Sequence, residues 1–324
     1  MDLVAALNLQ KTAVAGHYVF PAPPSDFNPA RASDEELARC GLPHRPNPKA
    51  FPHATRQWIS VMKRLKRFVT PELKLLNARN GPTTSTTQAG LLADKAAPYS
   101  QIWGMWDCPA IVAPPNLTLP QADLRFSIWA GIQSNTTSNL VQAGTYADLN
   151  QTGFPDFILP CTAWYEWYPA NAVNLTNFTL SPGDTFCVSL QSSQKTTFPG
   201  TNLPLPAPEA ACQIAFANLT TGDYTSLLIL PPSQSLPFPT DQAEWILERC
   251  SSFQDGGETT LGLPQFGVAA LTFGGAVGAN GQEVIVGFND QGTLVTMTSL
   301  QPTGVTDVTP DLAPGLLWNY ESNM

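Results

Sequence analysis

AWYEWYP at 163–169, followed about eighty residues later by AEWILE at 243–248, alternates bulky apolar side chains with single carboxylates. That period of two belongs to a pleated strand, not to an amphipathic helix. It sets Trp164, Glu166 and Tyr168 on one side and Ala163, Tyr165 and Trp167 on the other. In the second stretch Glu244, Ile246 and Glu248 oppose Ala243, Trp245 and Leu247. Burying two such carboxylates without partners is costly, so their face is expected to line a cleft or meet water.

The same period runs outward from these stretches. FSIWAGI (126–132), NLVQAGTY (139–146), TFCVSLQ (185–191), CQIAFANL (212–219), TSLLIL (225–230), FGVAALTF (266–273), EVIVGF (283–288) and TLVTMTS (293–299) are further strand candidates. Turn signals such as Pro182-Gly183-Asp184 separate them. Ten or so strands without intervening helices predict an all-β protein, a sandwich of two antiparallel sheets. The Gly-rich FGGAVGANG at 273–281 lacks the Lys-Ser/Thr of a phosphate loop and reads as a turn region.

Composition fits this class. The chain has 324 residues, 31 prolines and only 13% charged residues, and no apolar run reaches the length of a membrane span. Its net charge of −9 is uneven: residues 1–95 hold 13 Lys/Arg against 7 Asp/Glu, and 96–324 hold three against 18. This predicts a basic N-terminal segment, 1–95, joined to an acidic domain, 96–324. Within the segment Ser33 is a good N-cap for a short helix over 33–39, and the spacing of Trp58, Ile59, Met62, Leu65 and Phe68 predicts a basic amphipathic helix over 55–76. The polar run at 77–90 reads as a linker. Lys63, Arg64, Lys66 and Arg67 are expected to lie across the carboxylate-lined cleft of the acidic domain, which makes 1–95 a candidate pro-segment released as acid neutralises that domain. A nucleic-acid or membrane partner is not expected, and a monomer is.

The three histidines, His17, His44 and His53, leave nothing from 54 onward to serve a Ser-His or Cys-His site. No D-T-G or D-S-G sequence occurs, so an aspartic dyad is excluded as well. The six cysteines show no metal-ligand spacing, and neither a metal nor a cofactor is expected. They are either disulfide partners or small buried thiols of a β core. Asn-X-Ser/Thr sequences at Asn116, Asn135, Asn150, Asn174, Asn177 and Asn218 hint at a secretory route, although residues 1–20 show no signal peptide.

Several motifs occur in a fixed order: W-x-G-I at 129–132, L-V-Q-x-G at 140–144, AWYEWYP at 163–169, PGD at 182–184, NLTTG at 218–222 and AEWILE at 243–248. In these the chain resembles the eqolisins, or glutamic peptidases, over roughly 100–275. The resemblance implies a concanavalin-like, lectin-like sandwich, polypeptide substrates, pepstatin insensitivity, an extracellular setting and a catalytic pair of one glutamine and one glutamate. Carried over by motif, these are Gln142 and Glu248, with Trp129, Gln133, Trp164, Glu166, Trp167 and Glu244 as supporting or substrate-binding residues. A carboxylate can act as general base toward water while a primary amide donates to the oxyanion, so no covalent intermediate is required. Gln133 and Thr162 stand where the family usually has acidic residues. A relative on the same fold that binds sugars or peptides without cleaving them is the alternative reading.

Overall fold

The computed structural model describes residues 3–76, 87–112, 124–149, 161–192, 211–254 except 234, 257–260, 263–278 except 267, 282–287, 292–298, 306–311 and 316–320. It is a sandwich of two large sheets, with most strand candidates of the sequence in place. An eight-stranded sheet, antiparallel at every pairing, runs in the order Thr293–Val295, Gln88–Ala93, Gln242–Arg249, Leu124–Gln133, Leu140–Leu149, Cys161–Tyr168, Val173–Leu180, Leu73–Leu75. A twelve-stranded sheet stacks on it, centred on Cys212–Asn218, Thr185–Ser192, Tyr99–Asp107 and Val268–Gly278.

Between the sheets lies one apolar core in which Phe126, Ile128, Tyr165, Trp245 and Leu247 of the smaller sheet meet Ile102, Trp106, Phe186, Val188 and Phe216 of the larger. Three buried indoles also hydrogen-bond across the gap. Trp106 Nε1 donates to Thr145 Oγ1, Trp245 Nε1 to the Trp103 carbonyl and Trp318 Nε1 to the Ala89 carbonyl, each at 2.9 Å. These bonds remove the cost of burying the N–H groups and fix how the sheets sit on one another.

The N-terminal segment is built into both sheets. His17–Val19 pairs with Asp223–Ile229 of the larger sheet, Arg67–Phe68 joins the same strand in parallel, and Leu73–Leu75 forms an edge of the smaller sheet. His17 Nδ1 lies 2.7 Å from the Tyr165 hydroxyl, and burial lowers its pKa to about 4. Ser33 caps the Asp34–Arg39 helix in a full capping box with Glu36.

The basic helix differs from its expected form. It spans Pro52–Met62, because Pro71 cannot follow in a helix and residues 67–68 and 73–75 are drawn into strand pairing. Trp58, Val61 and Met62 pack on the outer face of the larger sheet against Cys187, Ala217 and Tyr224. That face is on the far side of the sandwich from the carboxylates, so the helix does not lie across them. Arg67 instead pairs with Asp223 at 2.6 Å, and Arg64 Nε donates to the Leu219 carbonyl. Gln88–Ala93, on the N-terminal side of the charge boundary at 95, is an interior strand of the smaller sheet.

The Gly-rich 273–281, read as a turn, is strand through Gly278. Gly275 is required by its neighbour: a Cβ there would sit 2.7 Å from the Trp103 ring. The six cysteines are buried thiols. Of the Asn-X-Ser/Thr sites, Asn174 and Asn218 are buried and Asn177 is hydrogen-bonded to the backbone of Thr70 and Glu72, whereas Asn135 is exposed. Asn116, Asn150 and most of the 77–90 linker lie outside the described residues.

Candidate active site

The smaller sheet turns one face to the core and the other outward, and the strand ladder sorts the outward residues into rows. One row reads Leu92, Glu244, Gly131, Gln142, Glu166 across five adjacent strands. The next reads Gly90, Ile246, Trp129, Gly144, Trp164, Asn174, and the third Gln88, Glu248, Ser127, Tyr146, Thr162. The row on the opposite side holds Gln242, Gln133, Leu140 and Tyr168.

Gln142 is therefore flanked by two glutamates. Glu166 is its direct cross-strand neighbour, and the Gln142 Nε2 amide donates to Glu166 Oε2 at 3.0 Å. Glu244 stands two strands away on the other side, with Gly131 between. At about 4.8 Å per strand the two Cα atoms are about 10 Å apart, a gap that two long side chains close from either side. Gly131 leaves that space clear: a Cβ there would sit 3.0 Å from the Gln142 Cβ.

Glu248 lies elsewhere on the same face. It is four residues along its strand from Glu244, about 13 Å at the usual rise. Trp129 Nε1 donates to its Oε2 at 2.8 Å, and Gln88 Nε2 to its Oε1 at 3.2 Å. The register thus separates Gln142 from Glu248, the residue assigned by motif, and aligns it with Glu244.

All four groups are buried: Gln142 and Glu244 are 0% exposed, Glu166 1% and Glu248 5%. The face does not meet water, contrary to the expectation from the alternation, so its carboxylates depend on nearby donors. Trp129 and Trp164 pack with Leu140, Ala172 and Ile246 into a small apolar cluster on this face, and Leu76 packs against it. Gln133 is at the end of its strand, where its Nε2 donates to Gln242 Oε1 at 2.6 Å. Trp167 is not with the others. It points into the core, edge-on to Phe238, and donates Nε1 to Asn139 Oδ1 at 2.9 Å. A supporting role at the site is therefore withdrawn for Trp167.

Gln88 escaped the sequence reading because QAGLLA was absorbed into the linker and its surroundings. Its position beside Glu248 follows only from pairing with the AEWILE strand. Thr162 falls in the Glu248 row, two rows from Gln142. Among the described residues no group of three or more His, Cys, Asp or Glu side chains is placed to hold a metal ion, and no helix is long and apolar enough to cross a membrane.

The chain belongs to the Peptidase A4 family, whose model matches residues 86–311 and so begins just before the Gln88 strand. It is 27% identical over 189 residues to Aspergillopepsin-2 of Aspergillus niger, covering 56% of this chain and 57% of that protein. The chain thus spans a little over half the length of this curated relative. In structure it is similar to Scytalido-glutamic peptidase in complex with a peptide-based transition state analog, with a TM-score of 0.55 at 17% identity, over 74% of this chain and 100% of that one. SCP-B, a member of the Eqolisin family solved with the tripeptide Ala-Ile-His, gives a TM-score of 0.53 at 16% identity, over 74% of this chain and 100% of that one.

Proposed function

We propose that the chain is an acid-active endopeptidase in which Glu244, rather than Glu248, works with Gln142. The observation that carries this reading is the shared row of Glu244, Gly131, Gln142 and Glu166. A water between Glu244 and the Gln142 amide oxygen would give one hydrogen to each. That aims its lone pair at a peptide carbonyl lying along the row, and Glu244 takes the proton as the bond forms. Glu166, by accepting a hydrogen of Gln142 Nε2, keeps the amide from flipping, with Nε2 as the donor toward the oxyanion. The tetrahedral intermediate then collapses as Glu244 returns its proton to the leaving amine. Nothing becomes covalently attached to the protein.

Polypeptide substrates follow from the family and from the peptide ligands named for its solved relatives. A removable pro-segment over 1–95 has less support, because Gln88–Ala93 is an interior strand of the smaller sheet and residues 17–19, 67–68 and 73–75 pair into both sheets; only Leu73–Leu75 and Leu76 lie beside the site face. The sugar-binding reading would need Trp129 and Trp164, at 0% and 1% exposure, to be uncovered, just as the peptidase reading needs Gln142 and Glu244 to be; what separates the two is the Gln142/Glu244 row.

The test compares Glu244→Gln, Gln142→Ala and Glu248→Gln on a denatured protein substrate at acid pH. Losses of about a thousandfold or more in the first two, against a milder loss in the third, are expected. An inactive Glu248→Gln beside an active Glu244→Gln would reverse the assignment. No turnover by the wild-type chain under any acid condition would end the peptidase reading.

A further inference from the structure

A cavity of about 590 Å³ opens at one border of the sandwich, where the N-terminal segment meets both sheets. Val14, His17, Leu230 and Pro231 wall it on the side of the larger sheet, and Leu75 and Trp167 on the side of the smaller. Backbone bonds fix these walls: Leu230 N–H donates to the Gly16 carbonyl at 2.9 Å, and Leu76 N–H to the Ala172 carbonyl at 2.8 Å. Leu75 is 52% exposed, a large apolar side chain left open to solvent at the cavity. His17 is the one ionisable side chain among the described residues that line it. Its tautomer follows from its buried neighbour. Tyr165 is 0% exposed, burial keeps its phenol protonated, and among the described residues His17 Nδ1, at 2.7 Å, is the only hydrogen-bond partner of its hydroxyl. Were the ring to donate from Nδ1, the phenolic hydrogen would be buried without an acceptor. The hydroxyl therefore donates to Nδ1, and the imidazole hydrogen sits on Nε2. Nε2 has no partner among the described residues, so the ring presents an unused N–H donor beside apolar walls.

We propose that this cavity binds a small apolar carboxylate, whose body covers Leu75 and whose carboxylate accepts from His17 Nε2. The volume is that of an ordinary small-molecule site, and such sites pair apolar walls with a few placed polar groups. A carboxylate suits the donor better than a neutral oxygen does, because a charged acceptor makes the stronger bond. No Asp or Glu among the described lining residues repels it. Burial lowers the His17 pKa to about 4, and an anion beside the ring offsets that burial. A cationic ligand would instead meet an N–H with nothing to accept its own hydrogens. The cavity is separate from the Gln142 row: Tyr165 and Trp167 point to the core side of their strand, and Glu166 to the outward side. Because Val14, His17 and Leu75 belong to the N-terminal segment and Trp167, Leu230 and Pro231 do not, the ligand binds only where the two are joined and adds to their cohesion.

Titration calorimetry of the full chain with 4-phenylbutyrate at about pH 6, where the probe is ionised, tests the site. One-site binding with a Kd of about 1 mM or tighter is expected, and binding of 4-phenylbutylamine at least about tenfold weaker. His17→Phe removes the donor and should weaken the carboxylate about tenfold or more. Ala170→Trp fills the cavity from its rim without touching the His17–Tyr165 bond and should abolish binding, so the test does not depend on how well His17→Phe folds. Imidazole nitrogen NMR of the wild type gives an independent reading: the His17 hydrogen should be found on Nε2, and that resonance should move with added 4-phenylbutyrate while those of His44 and His53 stay in place. No binding of 4-phenylbutyrate by the wild type, equal affinity in Ala170→Trp, or equal affinity for the amine overturns the proposal. So does a His17 ring that carries its hydrogen on Nδ1.

Discussion

The two outward faces of the sandwich are made by the same alternation and serve opposite ends. On the smaller sheet the outward rows carry Gln88, Gln142, Glu166, Glu244 and Glu248, held by one another and by the Trp129 indole. On the larger sheet the outward residues Trp103, Met105, Cys187, Ala217 and Tyr224 are mostly apolar, and the N-terminal helices and loops cover them. A sheet with two apolar faces needs two covers, and the core supplies only one. The first 75 residues are therefore part of the fold's framework on one side, whereas the other side carries the buried polar rows.

Deleting residues 1–75 should break this contrast most severely, because it uncovers the outer face of the larger sheet. The expected result is loss of a cooperative thermal transition in the remaining chain; a truncated protein that melts like the whole one would show that the cover is dispensable. Next in size is a matched pair of glycine substitutions. Gly131→Ala places a methyl group 3.0 Å from the Gln142 Cβ and 2.9 Å from the Val141 carbonyl, so turnover should fall about tenfold or more. Gly275→Ala pushes on the Trp103 ring on the other face and should lower the melting temperature while leaving the turnover of folded protein unchanged. Similar effects of the two substitutions on turnover would erase the distinction between the faces.

A smaller effect is tied to pH. His17 has a folded pKa of about 4 against an ordinary value of 6.5, so between those values the unfolded chain binds more protons. Stability then declines as pH falls from 6.5 through 4, by up to about 3 kcal/mol. His17→Gln should flatten that part of the melting-temperature profile, and an unchanged profile would remove His17 as its source. The smallest effect is expected for Arg67→Ala. The Arg67 side chain is 73% exposed and its partner Asp223 14%, so the pair is largely screened and melting in low and high salt should stay nearly the same. A large salt-dependent drop would restore the picture of a segment held by charge.

Much of this organisation was legible in the sequence because a period of two is a local property. The segments around Trp129, Gln142, Glu166, Cys187, Ile214 and Trp245 each read as strands, and for two of them, 163–169 and 243–248, alternation also shows which side carries the carboxylates. Other strands were less visible. Gln88–Ala93 is short and rich in Ala and Gly, and His17–Val19 and Leu73–Leu75 owe their extended form to the edges they join. The candidate site was half legible for a related reason. Alternation shows that Gln142, Glu244 and Glu248 face outward, but which glutamate lies level with Gln142 depends on register between strands about a hundred residues apart. The basic helix was misplaced on the molecule because charge counting sees an acidic domain and cannot see which of its faces is apolar.

The N-terminal segment also has a bearing on how the molecule keeps to itself. Gln10–Lys11 and His17–Val19 close one border of the larger sheet, and Leu73–Leu75 closes one border of the smaller. Without them the strands Asp223–Ile229 and Val173–Leu180 would each present a row of unpaired backbone groups. Such borders are templates for the next chain to add a strand. Proteolysis that freed this segment would trade a covered site face for two open borders, and the product's solubility would then rest on how soon a substrate or another strand occupied them.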